Sequence, residues 1–184
     1  MRLGGMGTLL AWTGLSPQAL KSRWLASQTA VAFETGRIRF DAFAPAIIEE
    51  FSLPIDPPAL RDAMTHWMAD PYPDAHQLLA ALCQQGPVAF LCNINEVMWP
   101  VIQRELNPAR WSSDVFLSFE LGFAKPDPAI YRAVTAATRR PPEELVFFDD
   151  TLENVQAAVA EGWHAEQVQG CEELRTALER LALL

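Results

Sequence analysis

Two adjacent carboxylates directly follow a short apolar segment late in the chain. Asp149 and Asp150 come after residues 145–148, with Thr151 next and Asn154 shortly beyond. Mg²⁺ binds oxygen ligands and usually takes one or two protein carboxylates while it keeps several waters. A helix cap would account for one of these residues, but two crowded carboxylates repel each other without a cation. The pair therefore favours a metal-binding role.

A lysine in front of a proline is the second candidate for chemistry. Lys125 precedes Pro126, and a following proline disfavours the α conformation, so the lysine is predicted to lie in an extended loop. An ammonium group held there could neutralise a phosphate or pair with carboxylates. Taken alone, an ordinary surface lysine before a helix capped by Asp127 is the simpler interpretation.

Small hydrogen-bonding groups follow another apolar segment in the middle of the chain. Cys92 and Asn93 come directly after residues 88–91, with Asn95 close behind. Such groups at the end of a strand could hold phosphate oxygens. An asparagine-rich turn is the alternative, because asparagine favours turns in any case.

Apolar strands and helices alternate after Pro73, which predicts a parallel sheet with helices on both faces. The predicted strands are 88–92, 115–118, 145–148 and 165–168, and the predicted helices are 74–85, 96–106, 128–138, 152–162 and 172–183. Ligands of such sheets bind beyond the carboxyl ends of the strands. All three candidate segments lie at predicted strand ends or in the loops next to them.

The first part of the chain is predicted to be helical. Ser16 and Asp56 each precede a proline, which is typical of a helix cap, and Asp41 is a third predicted cap. The predicted organisation is therefore a helical region over residues 1–72 and an α/β core over residues 73–184.

Composition narrows the classes of partner. The net charge of the 184-residue chain is −9 with 14 Lys and Arg, which argues against nucleic acid but allows a small phosphorylated ligand beside a metal ion. No apolar run approaches the ~20 residues that span a membrane. Three cysteines without a CxxC pair predict a reducing, cytoplasmic location without disulfides or zinc. The oligomeric state is left open.

In this order and spacing, the segments resemble the haloacid dehalogenase-like (HAD) hydrolase superfamily. The resemblance extends from about Trp12 to the end of the chain and is most specific in residues 118–131 and 146–155. Within the superfamily the chain is similar to sugar-phosphate phosphatases with a small helical cap, through residues 13–16 and 34–38. The resemblance implies a Rossmann-like α/β core with a small cap, Mg²⁺ as cofactor, and a small phosphorylated metabolite as substrate.

The resemblance also implies roles for individual residues. Lys125 matches the lysine that steadies the nucleophile and the phosphoryl charge. Asp149 and Asp150 match the acidic pair that holds Mg²⁺. Cys92 stands where relatives usually have a phosphate-binding serine or threonine, and a thiol is a weaker donor than a hydroxyl. Asn93 is expected to bind phosphate beside it.

The chain departs from the family at the nucleophile. Relatives begin with a central strand that ends in the aspartate that attacks phosphorus, whereas Asp41 is the first aspartate here. The first core strand is therefore expected to be absent or replaced, with residues 8–12 as the replacement considered, and the chain is expected to be inactive.

Three functions remain open at this stage. An incomplete form of a Mg²⁺-dependent phosphatase, with its true start upstream, is favoured because Lys125, Asp149 and Asp150 are retained. A non-catalytic binding or regulatory protein of the same family is the alternative. A 2-haloacid dehalogenase, which needs no metal, is a minor third possibility.

Overall fold

A computed structural model describes residues 6–67 and 70–184. The helical region, defined here as residues 6–67, contains five helices. These are α1 (Met6–Thr13), α2 (Pro17–Ala26), α3 (Gln28–Glu34), α4 (Phe40–Phe51) and α5 (Pro57–Thr65). The second region, residues 70–184, alternates helices with short strands, so the structure is mixed α/β as predicted.

Side-chain caps explain where two of the first helices begin. The Ser16 and Asp56 side chains accept hydrogen bonds from the backbone amides of Ala19 and Ala59, at 3.3 and 2.9 Å. Each capping residue is followed by a proline whose fixed backbone angle suits the first helical position. These two cap predictions are confirmed.

Two predictions for the helical region are wrong. Residues 8–12 lie within α1 and therefore form no strand. Asp41 is not a cap, because α4 begins at Phe40 and places Asp41 inside the first turn. A carboxylate there still interacts favourably with the positive end of the helix dipole.

The α/β region follows the predicted alternation closely. Its elements are α6 (Ala75–Gln85), β1 (Ala89–Cys92), α7 (Trp99–Glu105), β2 (Asp114–Leu117), α8 (Ser118–Leu121), α9 (Pro128–Thr138), β3 (Val146–Asp149), α10 (Leu152–Ala160), β4 (His164–Gln167) and α11 (Gly170–Arg180). Two short 3₁₀ turns lie at Pro108–Arg110 and Pro142–Glu144. The strand boundaries agree with the sequence-based ranges to within about one residue, inside the usual uncertainty of element ends.

The four strands form two parallel pairs. β1 pairs with β2 and β3 pairs with β4, with Cys92 opposite Leu117 and Asp149 opposite Gln167 at the carboxyl ends. Within residues 6–67 and 70–184, no strand joins the two pairs. Cys92 and Asp149, the last residues of β1 and β3, thus belong to separate two-stranded sheets.

Two hydrophobic clusters pack the parts of the chain that the structure describes. The first cluster contains Leu20, Phe33, Phe43, Ile47, Leu60 and Met64 from the helical region and Ile94, Met98, Ile102 and Leu117 from the α/β region. The second cluster contains Ile130, Tyr131, Val134, Phe147, Ala158 and Trp163. Leu91 of β1 and Phe116 of β2 pack against the second cluster, which also contains Phe147 of β3. The second cluster therefore contacts both strand pairs.

A buried hydroxyl joins the helical region to the α/β region. Ser118 Oγ accepts a hydrogen bond from the Ile94 amide at 2.9 Å and lies 2.7 Å from the carbonyl oxygen of Glu34, to which it can donate. Gly36 contacts the same junction, since a Cβ at this position would lie 2.0 Å from the Phe119 carbonyl oxygen. Only glycine permits this close backbone approach.

No helix in the described parts of the chain has the length and apolarity needed to cross a membrane. The cytoplasmic location stays a prediction.

Candidate functional site

The Lys125 ammonium group connects the two strand pairs. Its Nζ donates hydrogen bonds to Asp149 Oδ2 at 2.6 Å and to the carbonyl oxygen of Leu91 at 3.0 Å. The side chains of Lys125 and Asp149 are only 10% and 7% exposed. The structure therefore brings together two of the predicted site residues as a largely buried ion pair between β1 and β3.

Local backbone structure brings the lysine to this position. Gly122 ends α8 in the left-handed conformation, with φ of 81°, and Asp127 caps α9 by accepting a hydrogen bond from the Ala129 amide at 2.9 Å. Lys125 lies in the short loop between these fixed ends, joined to Pro126 by a cis peptide bond. The predicted cap at Asp127 is confirmed.

The Asn93 side chain holds the backbone of Lys125 at two points. Asn93 Nδ2 donates to the Lys125 carbonyl oxygen at 2.8 Å, and the Lys125 amide donates to Asn93 Oδ1 at 2.8 Å. Both polar atoms of the Asn93 amide therefore contact the lysine that the sequence placed in the same site. These two contacts leave one N–H of the Asn93 amide free to donate to another acceptor. Phosphate binding by Asn93 stays a prediction.

Asp149 is surrounded by hydrogen-bond donors. Its Oδ1 accepts from the Thr151 amide at 2.9 Å and from Asn154 Nδ2 at 3.0 Å. Burial opposes ionisation of this carboxyl, but the charge and hydrogen bond of Lys125 and the other two donors outweigh it and lower the pKa of Asp149 below its ordinary value. Asp149 is therefore a carboxylate at neutral pH.

Asn154 follows the acidic pair in the sequence, but the sequence analysis assigned it no role in the site. It lies in the first turn of α10, where its carbonyl oxygen accepts a 2.8 Å hydrogen bond from the buried Tyr131 hydroxyl. That bond ties the helix start to the second cluster and fixes the amide against Asp149. An asparagine in the first turn after an acidic strand end is the sequence feature that could have indicated it.

Asp150 differs from its neighbour in exposure. The residue is exposed, and its Oδ1 accepts a 3.2 Å hydrogen bond from the Thr151 hydroxyl. Its carbonyl oxygen accepts hydrogen bonds from Gln167 and Gln169 side chains, at 2.9 and 2.8 Å. The Asp150 backbone is therefore anchored to the end of β4 while its carboxylate lies in solvent.

The two aspartates fit a magnesium ion that keeps most of its water shell. Across the described parts of the chain, no group of three or more His, Cys, Asp or Glu residues is arranged to hold a metal. Asp150 offers an exposed carboxylate, whereas most acceptor positions of Asp149 are already used. Mg²⁺ commonly binds through one or two carboxylates plus water and substrate phosphate, so this donor set suits it better than Zn²⁺, which needs more protein ligands.

Cys92 lies at the carboxyl end of β1 and is partly buried. Burial is the main influence on its thiol and raises the pKa of Cys92 above the ordinary value, although the Lys125 charge acts in the opposite direction. The residue also packs against the first cluster. Cys92 is therefore a neutral thiol at neutral pH, and its predicted role in phosphate binding depends on a weak donor.

Comparison with known proteins identifies the family. A profile of haloacid dehalogenase-like hydrolases matches residues 7–162 of the 184-residue chain. The chain belongs to the haloacid dehalogenase-like hydrolases. Lys125, Asp149 and Asp150 all lie within the matched residues.

Solved structures of HAD proteins share the fold. A HAD family enzyme from Bacteroides thetaiotaomicron, in complex with magnesium and inorganic phosphate, superposes with a TM-score of 0.74 and 22% identity, covering 87% of this chain and 84% of that one. A predicted HAD-like family hydrolase from Porphyromonas gingivalis gives 0.77 and 18%, covering 97% and 89%. The L-2-haloacid dehalogenase from Xanthobacter autotrophicus, with chloropropionic acid covalently bound, gives 0.62 and 23%, covering 98% and 74%.

Proposed function

We propose that this chain supplies the magnesium- and phosphate-binding part of a phosphatase that acts on small phosphorylated metabolites, with sugar phosphates as the first class to test. One observation carries the proposal. The buried Lys125–Asp149 ion pair, joined at 2.6 Å, lies next to the exposed Asp150 carboxylate at the carboxyl ends of parallel strands. A cation and an anionic metal ligand therefore stand side by side where ligands of such folds bind.

Each residue of the site has a distinct task in this proposal. The Lys125 ammonium neutralises the phosphoryl group, and Asp149 fixes the ammonium in place. Asp150, with Asp149, holds Mg²⁺, which when bound supplies further positive charge to the phosphate oxygens. Stabilisation of this kind is strongest where water is partly excluded, and the low exposure of Lys125 meets that condition.

The Bacteroides thetaiotaomicron enzyme supports the phosphate and magnesium assignments. A mutant of that enzyme with an aspartate replaced by alanine was crystallised in complex with magnesium and inorganic phosphate. It superposes on this chain with a TM-score of 0.80, at 21% identity. A HAD fold that has lost an aspartate thus still held both ligands, which is the state we propose for the present chain.

Turnover requires a group that the described site does not supply. Within residues 6–67 and 70–184, the hydrogen-bond acceptors of Lys125 Nζ are the Leu91 carbonyl and Asp149. The Asp149 carboxylate already accepts hydrogen bonds from Lys125, Thr151 and Asn154, and in this proposal it is a Mg²⁺ ligand and not the group that attacks phosphorus. We expect the 184-residue chain to bind phosphate with Mg²⁺ and to release none from phosphate esters.

Binding of inorganic phosphate, followed by ³¹P NMR with and without Mg²⁺, tests the ligand assignment. We expect Mg²⁺-dependent binding that is lost in Lys125→Met and retained in Lys21→Met, a control that removes the chain's other lysine. Absence of phosphate binding by the wild-type chain with Mg²⁺ present would overturn the proposal.

Activity assays on the same protein separate the remaining functions. No phosphate release from a panel of sugar phosphates is expected, whereas Mg²⁺-dependent release would support a phosphatase and refute the predicted inactivity. Binding without turnover also agrees with a non-catalytic member of the family. Chloride release from 2-chloropropionate in the presence of a chelator would instead indicate a dehalogenase.

A further inference from the structure

We propose that Asn93 is a positioning residue for Lys125, whose backbone it fastens to the end of β1 so that the ammonium group is aimed at Asp149 and the bound phosphate. The geometric part of this inference stands on hydrogen bonds alone. Its consequence for phosphate binding rests on the proposed function.

The contact between Asn93 and Lys125 is reciprocal. The side-chain amide donates to the Lys125 carbonyl and accepts from the Lys125 amide, both at 2.8 Å. The asparagine thus pairs with the lysine backbone as a neighbouring strand residue would, using one donor and one acceptor. Two such bonds fix both the position and the orientation of the lysine's peptide groups, which a single bond cannot do.

The chemistry of the pair selects asparagine. A carboxylate at residue 93 would face the Lys125 carbonyl with an oxygen and repel it. A flipped amide would set Nδ2 against the Lys125 N–H, donor against donor, so the assignment of the two amide atoms follows from the partners. Glutamine carries one methylene more and would not keep the same spacing. Only asparagine meets both groups at this distance from the chain.

The same short segment holds both ends of the lysine. Leu91 accepts a hydrogen bond from Nζ at 3.0 Å, and Asn93, two residues later, holds the amide and carbonyl of Lys125. Lys125 therefore lies along the end of β1, and its ammonium group reaches Asp149 on β3. Loss of the asparagine contacts would release the backbone end of this three-point attachment.

The exposure of Asn93 indicates that stability is not its main contribution. The residue is exposed, and the Asn93 hydrogen bonds to Lys125 replace hydrogen bonds to water. Such a bond typically contributes little to the free energy of folding. The larger effect of removing the amide is expected at the ammonium group, whose interaction with a phosphate depends on fixed geometry.

Selective ¹⁵N-lysine labelling tests the inference directly, because Lys21 and Lys125 are the only lysines in the chain. The spectrum then holds a backbone amide and an ammonium signal for each. In Asn93→Ala we expect both Lys125 signals to shift towards those of Lys21, and their exchange with water to become about tenfold faster, a factor typical of losing one hydrogen bond. The Lys21 signals are the internal reference and should not move.

Phosphate titrations of the same samples with Mg²⁺ complete the test. Positioning predicts that the Lys125 signals move and that phosphate affinity falls about tenfold. Unchanged Lys125 signals in Asn93→Ala would overturn the inference. If phosphate affinity fell while those signals stayed unchanged, Asn93 would be a direct phosphate ligand only, and if affinity also stayed the same, Asn93 would have neither role. If wild-type protein binds no phosphate, the proposed function fails, while the Lys125 signals still decide the role of Asn93.

Two variants guard against indirect effects. Asn107→Asp adds a charge at a residue with φ of 48°, a conformation that aspartate tolerates, and we expect its Lys125 signals to match wild type. Asn93→Gln keeps the amide but lengthens the side chain, and we expect it to leave the Lys125 signals displaced as in Asn93→Ala. Full recovery of the wild-type signals in Asn93→Gln would contradict the required spacing.

Discussion

Aromatic packing dominates the helical region, whereas hydrogen bonds and one ion pair organise the strand ends of the α/β region. In the helical region Phe33 and Phe43 stack at 4.0 Å between ring centroids, and Trp24 meets the Phe43 ring edge-on. In the α/β region Val146 of β3 and Leu152 of α10 remain 40% and 48% exposed. The stacked aromatic pair and the candidate chemistry therefore lie in different parts of the molecule.

The difference has a physical origin. Apolar burial is non-directional and needs only complementary volumes, so the helices around Phe43 tolerate few cavities but require no special geometry. The site around Lys125 and Asp149 depends on directional bonds between groups that are costly to bury unpaired. Substitutions of the buried aromatic side chains in the helical region should therefore affect mainly folding, whereas those at the strand ends should affect ligand binding as well.

Truncation of the central aromatic side chain of the first cluster is expected to have the largest effect. Phe43 is fully buried, and Phe43→Ala should lower the free energy of unfolding by about 4 kcal/mol. Phe123→Ala, at a side chain that is 38% exposed, is the matched control and should cost less than about 1 kcal/mol. Similar losses for the two variants in urea denaturation would contradict the contrast between the regions.

Breaking the buried ion pair is expected to rank next. Lys125→Met leaves the Asp149 carboxylate buried without its cation, which should cost about 3 kcal/mol at neutral pH. The folded-state pKa of Asp149 is lowered, so its stabilising contribution is complete above the ordinary value of 3.8 and is lost as pH falls through the folded-state pKa. Thermal unfolding followed from pH 7 to pH 2 should show a steeper acid decline in wild type than in Lys125→Met. An equal decline of thermal stability with falling pH in wild type and Lys125→Met would refute the Lys125–Asp149 ion pair as the source of this effect.

Removal of the hydroxyl at the junction of the two regions should have an intermediate effect. Ser118→Ala leaves the buried Ile94 amide without its 2.9 Å acceptor, at an expected cost of about 2 kcal/mol. Because Ser118 is also placed to donate to Glu34, limited proteolysis should detect weaker docking of the helical region. Wild-type stability and protease resistance would show that this hydroxyl does not join the regions.

Substitution of Glu34, a partly buried carboxyl in the helical region, is expected to give the smallest change in the free energy of unfolding, and this change has the opposite sign. Burial raises the pKa of Glu34, although the Trp24 indole donates to it at 2.9 Å. A raised folded-state pKa makes its contribution most favourable below the ordinary value of 4.5 and less favourable as pH rises through the folded-state pKa. Glu34→Gln keeps an acceptor for Trp24 and should stabilise the protein at pH 8 by roughly 1 kcal/mol. Destabilisation at pH 8 in calorimetry would contradict this.

Local patterns allowed much of the fold to be predicted from the sequence. The strand end at Cys92, the strand end within one residue of Asp149, and the caps at Ser16, Asp56 and Asp127 follow from apolar runs and from residue types that depend on near neighbours. Residues 8–12 and Asp41 were misassigned because a short apolar run and a single acidic residue suit more than one local structure. Tertiary packing of α1 and α4 decides between those structures.

The contacts within the site were harder to predict than its residues. Lys125, Asp149 and Asp150 were identified together, but the hydrogen bonds of Asn93 to Lys125 connect residues 32 positions apart. Ser118 and Glu34 are separated by 84 positions. Contacts between such distant residues depend on the tertiary arrangement of strands and loops, which composition and periodicity do not reveal.

Thermodynamic coupling between Mg²⁺ and phosphate is the most direct test of the central claim, that Lys125, Asp149 and Asp150 form one ligand site. Calorimetric titration of Mg²⁺ into the 184-residue chain should show higher affinity when inorganic phosphate is present, by the same factor with which Mg²⁺ raises phosphate affinity. Asp150→Asn should abolish this coupling without changing the free energy of unfolding by more than about 0.5 kcal/mol, because the side chain is exposed. Equal Mg²⁺ affinity with and without phosphate in wild type would contradict the account.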